Sequence, residues 1–523
     1  MGVNSYTVGR RRRVAASAGT DIFSDSFSTQ VETRRFAPQR RISIPRRFSP
    51  RQGTISVAVL EGICPLRVCL LLALLLVPLS ASAQSVLVPP TVTQPTSAVT
   101  GVGLGTVTEY TLANGLQVLV APSDAADLVT MDVWVGAGTR RETAANNGVA
   151  HFMEHLIFKG TPTKKPGEID AAIEDLGGSL NAATSYDWAH FYGTVASADA
   201  PAALAILADA LQNAQMRQAD IDAEKPVILS EMARDAGRAS GRITRRYNAL
   251  EFPDRAYGRP LLGTADHISN IPRSAILDFY HTYYAPANAT LVLAGKITPE
   301  AGRALAEKSF GAWPVRAIPA DKTLPLTPQV GIREDNLTAP TAHGYLQIGF
   351  RAPSVRDQPD AWAMDVLMTL LGQGGNNRLE SDLVRHQKLV QVISTNYLTQ
   401  RDPGTMSISA EFDPGDYPAV RGAILGEIAA LRNVPISDGE LAAAKHTLLA
   451  SYLFDTQTNS GRANALGFYS RIDSYQYDTA YVGHFELVTA AQVQAVARKY
   501  FDLSAYTIVT LLPTPNPVTA SRR

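Results

Sequence analysis

The residues best equipped for chemistry are His151, Glu154 and His155, in the run His151-Phe152-Met153-Glu154-His155. On a helix, positions i and i+4 lie one turn apart on one face, so both imidazoles can reach a single metal ion. Glu154, three residues from His151, borders the same face. Two His leave a zinc ion short of its usual coordination, and a catalytic site needs a third protein ligand and a water. With nine His in 523 residues, composition alone yields this pattern on the order of 0.01 times per chain. That makes it a strong signal against the alternative of two incidental His on an ordinary helix. The third ligand should be a carboxylate or His on a neighbouring helix. Glu224 and Glu231 stand two turns apart along one helical face, so one can bind the metal while the other supports a ligand from behind. Taken alone, two Glu on a helix read as a solvated face.

The elements that must position these groups alternate between strand and helix. Val107 to Leu112, Asn114-Gly115 and Leu116 to Ala121 read as a β-hairpin, with Asn-Gly supplying the two positive φ angles of a tight turn. Leu128 to Val135 is a third strand. From Asn147 to Phe158 the spacing is helical, and Gly160 with Pro162 ends it. Further helices are expected at Glu168 to Leu176, Ala202 to Gln212, Gln218 to Asp235 and Ser274 to Tyr283. A strand follows at Ala289 to Ala294, then a helix at Pro299 to Phe310. The stretch 313–340 holds Pro314, Pro319, Pro325 and Pro328 and reads as a linker. Beyond it the pattern restarts, with a strand at Tyr345 to Phe350, a helix at Gln358 to Leu371 and a closing strand at Tyr506 to Leu512. The expected class is α+β: two similar sandwich-like halves of roughly 200 residues, each a mixed or antiparallel sheet packed by helices.

The net charge is zero, with 48 basic and 48 acidic residues, so no global field marks the chain for nucleic acid or anionic membrane. The charge is uneven. Residues 1–60 carry eleven Arg against Asp21, Asp25 and Glu32, while the chain from Gln84 onward is mildly acidic. Arg67, the apolar run Val68 to Val77 and the small-residue end at Ala81 to Ala83 are the parts of a secretory signal, with cleavage expected after Ala83. The run is short for a membrane span, and an uncleaved anchor is the alternative. Both cysteines, Cys64 and Cys69, lie in this segment. Its removal leaves no disulfide, thiol catalyst or Cys-zinc site. Residues 1–60 read as a disordered extension or a start site placed too early, with a transit peptide as the rival. Domains are therefore expected at 106–312 and 341–515, after a signal at 61–83 and an extended leader at 84–105, with a tail at 516–523.

The H-x-x-E-H order is the inverse of the zincin motif, the inverzincin signature. With acids of this spacing behind it, the chain resembles the pitrilysin family of zinc peptidases, which includes insulin-degrading enzyme and mitochondrial processing peptidase. The resemblance extends from about Val107 to the C-terminus. It includes Gly148-Val149-Ala150 before the motif, Leu156 to Thr161 after it, Gly177 to Ala182, Phe279 to Asn288, and the Gly-rich Leu371 to Leu379. It implies one Zn²⁺ per chain on His151, His155 and Glu231, with Glu154 as the general base activating a zinc-bound water, and Glu224 supporting the ligands. It also implies substrate backbone pairing at Asn181 and Ala182, and Arg462 with Tyr469 as substrate-binding and oxyanion-stabilising residues from the C-terminal half.

Where family members often carry a hydroxyl or small residue, this chain has His190, which would crowd the site, assist it, or serve structure. The resulting expectation is an exported, periplasmic zinc endopeptidase acting on peptides or unfolded segments, with no nucleic acid partner and no stable membrane span after signal cleavage. Carrying both the motif and Arg462/Tyr469 in one chain favours self-sufficiency, with two halves closing around substrate and a homodimer as one arrangement. The alternative is a non-catalytic or partner-dependent subunit paired with a related chain.

Overall fold

The computed structural model describes residues 95–515, apart from 254, 322–327 and 376. These residues fall within one compact unit. The expectations for residues 1–94, Cys64 and Cys69 included, and for the tail lie outside the described residues.

The first half runs β1 (Ser97–Gly101), β2 (Gly105–Thr111), β3 (Gln117–Pro122), β4 (Leu128–Val135), α1 (Val149–Leu156), α2 (Glu168–Glu174), β5 (Ser179–Thr184) and β6 (Ala189–Ala196). It continues through α3 (Ala200–Asn213), α4 (Gln218–Gly237), α5 (Ala239–Glu251), α6 (Ala265–Asn270), α7 (Arg273–Tyr283), β7 (Ala289–Gly295) and α8 (Pro299–Phe310). The second half runs β8 (Arg333–Ala339), β9 (Gly344–Arg351), α9 (Asp360–Gly372), a π-helical segment (Glu380–His386), β10 (Val390–Tyr397) and β11 (Thr405–Phe412). It ends with α10 (Tyr417–Asn433), α11 (Asp438–Thr456), α12 (Asn459–Ile472), α13 (Tyr475–Glu486), α14 (Ala490–Tyr500) and β12 (Thr507–Pro513). The leader therefore contains β1, and the Pro-rich linker ends in β8. Short strands with few apolar residues carry too weak a period-2 signal to be read locally.

The β2–β3 hairpin forms, but not with the expected turn. Gly115 alone has positive φ, at 90°. The Gly115 N–H donates to the Leu112 carbonyl, and the Asn114 side chain instead accepts from the Leu116 N–H and donates to the Phe310 carbonyl. Asn114 is chosen for its reach to the end of α8 rather than for a left-handed backbone.

The duplication is plain in the topology. The seven-stranded sheet has the order β1-β2-β3-β7-β4-β6-β5 and the five-stranded sheet β10-β11-β9-β12-β8. Without β1 and β2, the first matches the second strand for strand. β3 and β7 are parallel, as are β8 and β12, and every other shared pairing is antiparallel. The helices correspond as well, with α3 to α7 matching α10 to α14 in order.

Each half lends a helix to the other's sheet. Successive side chains on β4 point to opposite faces. Met131, Val133 and Val135 join the core beneath α1, while Trp134 joins the core that contains Ala463 and Leu466 of α12. A Cβ on Gly467 would overlap the Trp134 indole, so α12 lies directly on the sheet. In return, Ile243 and Tyr247 of α5 pack on Val509 and Leu511 of β12. Polar ties follow the same exchange. Arg471 of α12 donates to the Asn288 carbonyl at 2.9 Å, and Arg333 of β8 donates to the Leu250 and Glu251 carbonyls at 2.9 Å each. The space between the halves is packed core, so one chain does not close its halves around a substrate there.

Candidate metal centre

Helix α1 begins at Gly148, whose φ of 101° suits a residue without a side chain. It is eight residues long, with its apolar residues against the sheet and His151 buried. His151 and His155 rings stand 4.8 Å apart between centroids, as one helical turn dictates. Helix α4 crosses behind it and brings Glu231 to the pair. Glu231 Oε2 is 3.7 Å from His151 Nε2 and 3.5 Å from His155 Nε2. One ligand atom from each of the three residues can be chosen so that all lie within 4.8 Å of one another, the one such grouping among the described residues.

Those contacts are longer than hydrogen bonds. They are near the roughly 3.3 Å that separates donor atoms in a tetrahedron with bonds of about 2.0–2.1 Å, the zinc–nitrogen length. Both ring nitrogens of His151 and Oε2 of Glu231 are buried without a hydrogen-bond partner. Buried polar atoms are costly unless something completes them. A divalent cation does so with this donor set of two imidazoles and a carboxylate, so the residues fit zinc.

The surroundings keep His151 and Glu231 in the state a cation needs, whereas His155 carries a proton that a bound cation would displace. Burial, helped by the neighbouring His155, pushes His151 down to about 3, so the imidazole is neutral with one nitrogen lone pair available. Burial lowers His155 too, but its contacts with Glu224 and Glu231 outweigh this and raise it to about 9. Burial raises Glu231 and Glu224, yet His155, and Lys159 for Glu224, hold both below the usual carboxylate range. Glu224 Oε2 sits 3.0 Å from His155 Nδ1, which turns Nε2 toward Glu231. The Lys159 ammonium is 2.7 Å from the other Glu224 oxygen. Lys159 lies just beyond the end of α1, and no helical spacing in the sequence points to its contact with Glu224. Glu154 is partly exposed, and burial of its carboxyl raises it to about 7 against the nearby Thr184 hydroxyl and His155.

Thr184 belongs to β5, the edge of the seven-stranded sheet, which among the described residues pairs only with β6. Ala182, opposite Phe191, faces the α1 side of that strand. Asn181, opposite Tyr192, faces away. An unpaired strand edge beside the metal-binding groups can accept an extended chain by backbone pairing.

Two sequence-predicted residues are not brought to this site. Arg462 and Tyr469 lie on α12, across the sheet from α1. Arg462 donates to the Thr456 carbonyl at 3.1 Å, and the Tyr469 ring stacks on Tyr477 at 4.8 Å. Burial and nearby Tyr477 and Asp365 raise the Tyr469 phenol well above its ordinary value. A folded sheet separates these two groups from the histidine pair within one chain. His190 also turns to the α12 side. Its Nδ1 is 3.0 Å from Asp132, and its ring lies between Trp134 at 4.0 Å and Tyr192 at 4.7 Å. It neither crowds nor completes the cluster.

Comparison with known proteins agrees with this geometry. Residues 117–265 match the insulinase (peptidase family M16) model, and residues 270–448 match the peptidase M16 inactive domain model. A Mycobacterium tuberculosis protein described as an uncharacterized zinc protease is 28% identical over 399 residues, covering 74% of this chain and 89% of the relative. The beta subunit of mitochondrial-processing peptidase from Lentinula edodes is 29% identical over 438 residues, covering 78% and 92%. The crystal structure of a protease from Helicobacter pylori superposes with a TM-score of 0.74 at 26% identity, covering 77% of this chain and 99% of that one. With an H-x-x-E-H helix, a carboxylate donor from a second helix and two matching sheet-and-helix halves, the chain belongs to the insulinase, or M16, family of zinc peptidases.

Proposed function

We propose that the chain is a zinc-dependent endopeptidase that cleaves peptides or unfolded polypeptide segments. The observation that carries this reading is the convergence of His151, His155 and Glu231, with buried donor atoms that no protein group satisfies. Bound there, zinc supplies a Lewis acid that polarises a carbonyl and lowers the pKa of water toward about 7. His151 and His155 would hold the ion through ring nitrogens, His155 losing a proton as it binds and being oriented by Glu224. Glu231 contributes negative charge. Glu154 takes the proton of the attacking water and returns it to the leaving amine, a role suited to a carboxyl held near neutrality. The free edge of β5 aligns the substrate backbone, which favours extended chains over folded ones.

The position of Arg462 and Tyr469 favours a two-chain enzyme. If these residues contact a substrate held at the metal centre, they do so from a second chain. We take that to be a second copy, since this chain carries both sets. A related but different chain is the second reading. The signal-like segment 61–83 supports export to the periplasm, and the mass of the mature N-terminus tests that.

Zinc content and cleavage of a quenched peptide, measured on protein lacking residues 1–83, test the activity. One zinc per chain and turnover are expected, with zinc lost in His155→Ala. Retained turnover in Glu154→Gln rejects the assigned base. Turnover that begins only when a different chain is added favours the second reading.

A further inference from the structure

We propose that Glu142 is a positioning residue for the metal centre, anchoring the start of α1 and thereby the direction in which His151, Glu154 and His155 point. The inference rests on the metal-centre reading above and concerns a residue outside the motif.

Helix α1 cannot cap itself. Gly148 at its N-cap has no side chain, and the first turn carries no acid. The first N–H groups of any helix lack intrahelical acceptors. Glu142 supplies one from outside, with its side chain reaching back across the intervening loop. One carboxylate oxygen accepts the Ala150 N–H at 2.8 Å, and the other accepts the Asn147 amide at 2.7 Å. Asn147 donates onward to the Pro260 carbonyl at 3.2 Å, and Arg259 holds the Glu142 backbone carbonyl at 2.7 Å. Glu142 is only 4% exposed, so these bonds do not compete with water. Negative charge at this end also interacts favourably with the helix dipole.

The helix start is packed against a second segment too. A Cβ on Gly148 would meet Ile268 Cδ1 at 2.8 Å and Gly263 Cα at 3.0 Å. The start of α1 is therefore held by both Glu142 and the 260–268 segment. Such support matters because the helix is only eight residues long and His151 directly follows Ala150. Each residue advances a helix by about 100°, so a small slip at the start turns the imidazoles away from Glu231. Helices with long partners correct such errors along their length, and α1 has two turns in which to do so.

The test measures zinc affinity by chelator competition, the visible absorption of Co²⁺-substituted protein, and thermal stability. It uses wild type, Glu142→Ala, Glu142→Gln and Glu142→Asp, with Leu431→Ala as a core truncation in the second half. Removing an outer support of a metal site weakens affinity by about 10–100-fold, and that loss with an altered cobalt spectrum is expected for Glu142→Ala. Glu142→Gln keeps the shape and one acceptor, so a smaller loss is expected, and it decides the matter if the Ala variant fails to fold. Leu431→Ala should lower stability while leaving zinc affinity unchanged. Equal affinity and spectra in wild type and the Glu142 variants overturn the inference while leaving the metal centre intact. A wild type that binds no zinc overturns the metal centre itself, and this inference with it.

Discussion

Helices α1 and α9 hold the same place in the two halves and read almost alike. The first runs Ala150-His151-Phe152-Met153-Glu154-His155-Leu156 and the second Ala361-Trp362-Ala363-Met364-Asp365-Val366-Leu367, from the second to the eighth position of each helix. The acid is kept and both imidazoles are gone. The supporting helix differs in the same way. At the seventh and fourteenth positions α4 has Glu224 and Glu231, where α11 has Ala444 and Ser451. Asp365 instead accepts from the Tyr481 hydroxyl at 2.9 Å, and Trp362 stacks on His484 at 3.8 Å. The two halves share an architecture, and chemistry depends on a few side chains placed upon it. The acids that lie beside the two helices also meet different partners. In the first half, imidazole and ammonium partners keep Glu224 and Glu231 charged. In the second, burial drives Asp365 and Asp478 up to about 7, with tyrosines as their partners.

The strongest way to break this comparison is to neutralise the matched acids. Glu154→Gln should lower turnover of a quenched peptide by about 10²–10⁴-fold, the usual contribution of a general base, with zinc retained. Asp365→Asn should leave turnover unchanged, and an equal loss there would show that the second half takes part in the chemistry.

The second test concerns pH. Asp478 is 1% exposed and accepts from the Tyr452 hydroxyl at 3.2 Å. Its folded pKa of about 7 lies above the unfolded value of about 3.9. The folded state thus holds a proton that the unfolded state has lost, so stability falls as pH rises from about 4 to about 7 and stays lower beyond. Asp478→Asn should therefore stabilise the protein at pH 8, by up to about 4 kcal/mol, with the gain disappearing near pH 4. Melting curves at the two pH values measure it, and a loss at pH 8 contradicts the assigned protonation.

Glu224→Gln sharpens the contrast from the other side. It leaves the His155 Nδ1 without its anionic partner, and zinc affinity should fall by about 10–100-fold, read by chelator competition. The smallest effect tests the exchange of helices. Gly467→Ala forces a methyl group into the Trp134 indole and should cost about 1–3 kcal/mol, as overpacking does, read by denaturant unfolding.

Much of the site was legible because helical geometry makes it local. His151, Glu154 and His155 share a face whatever the rest of the chain does, and Glu224 and Glu231 follow the same rule on α4. In the first half most helices and the most apolar strands were equally readable, α8 to its terminal residues, whereas α10 to α14 were not read. The weaker elements were not. Helix α5 is strongly polar in sequence and owes its place to the sheet of the other half, while β8 was hidden in a Pro-rich stretch and is held by β12. Lys159 and Glu142 escaped because their partners are 65 and 8 residues away in sequence, respectively.

The sequence by itself determined which groups could bind a metal and on which helical faces they stand, since spacing of 3.6 residues per turn needs no distant contact. Only the tertiary structure decided that α4 crosses behind α1 so that Glu231 meets the imidazoles. It alone placed Arg462 and Tyr469 across a sheet from them. The direction of a side chain relative to a remote element depends on how sheets twist, pack and exchange helices, and that is a property of the whole core rather than of any segment.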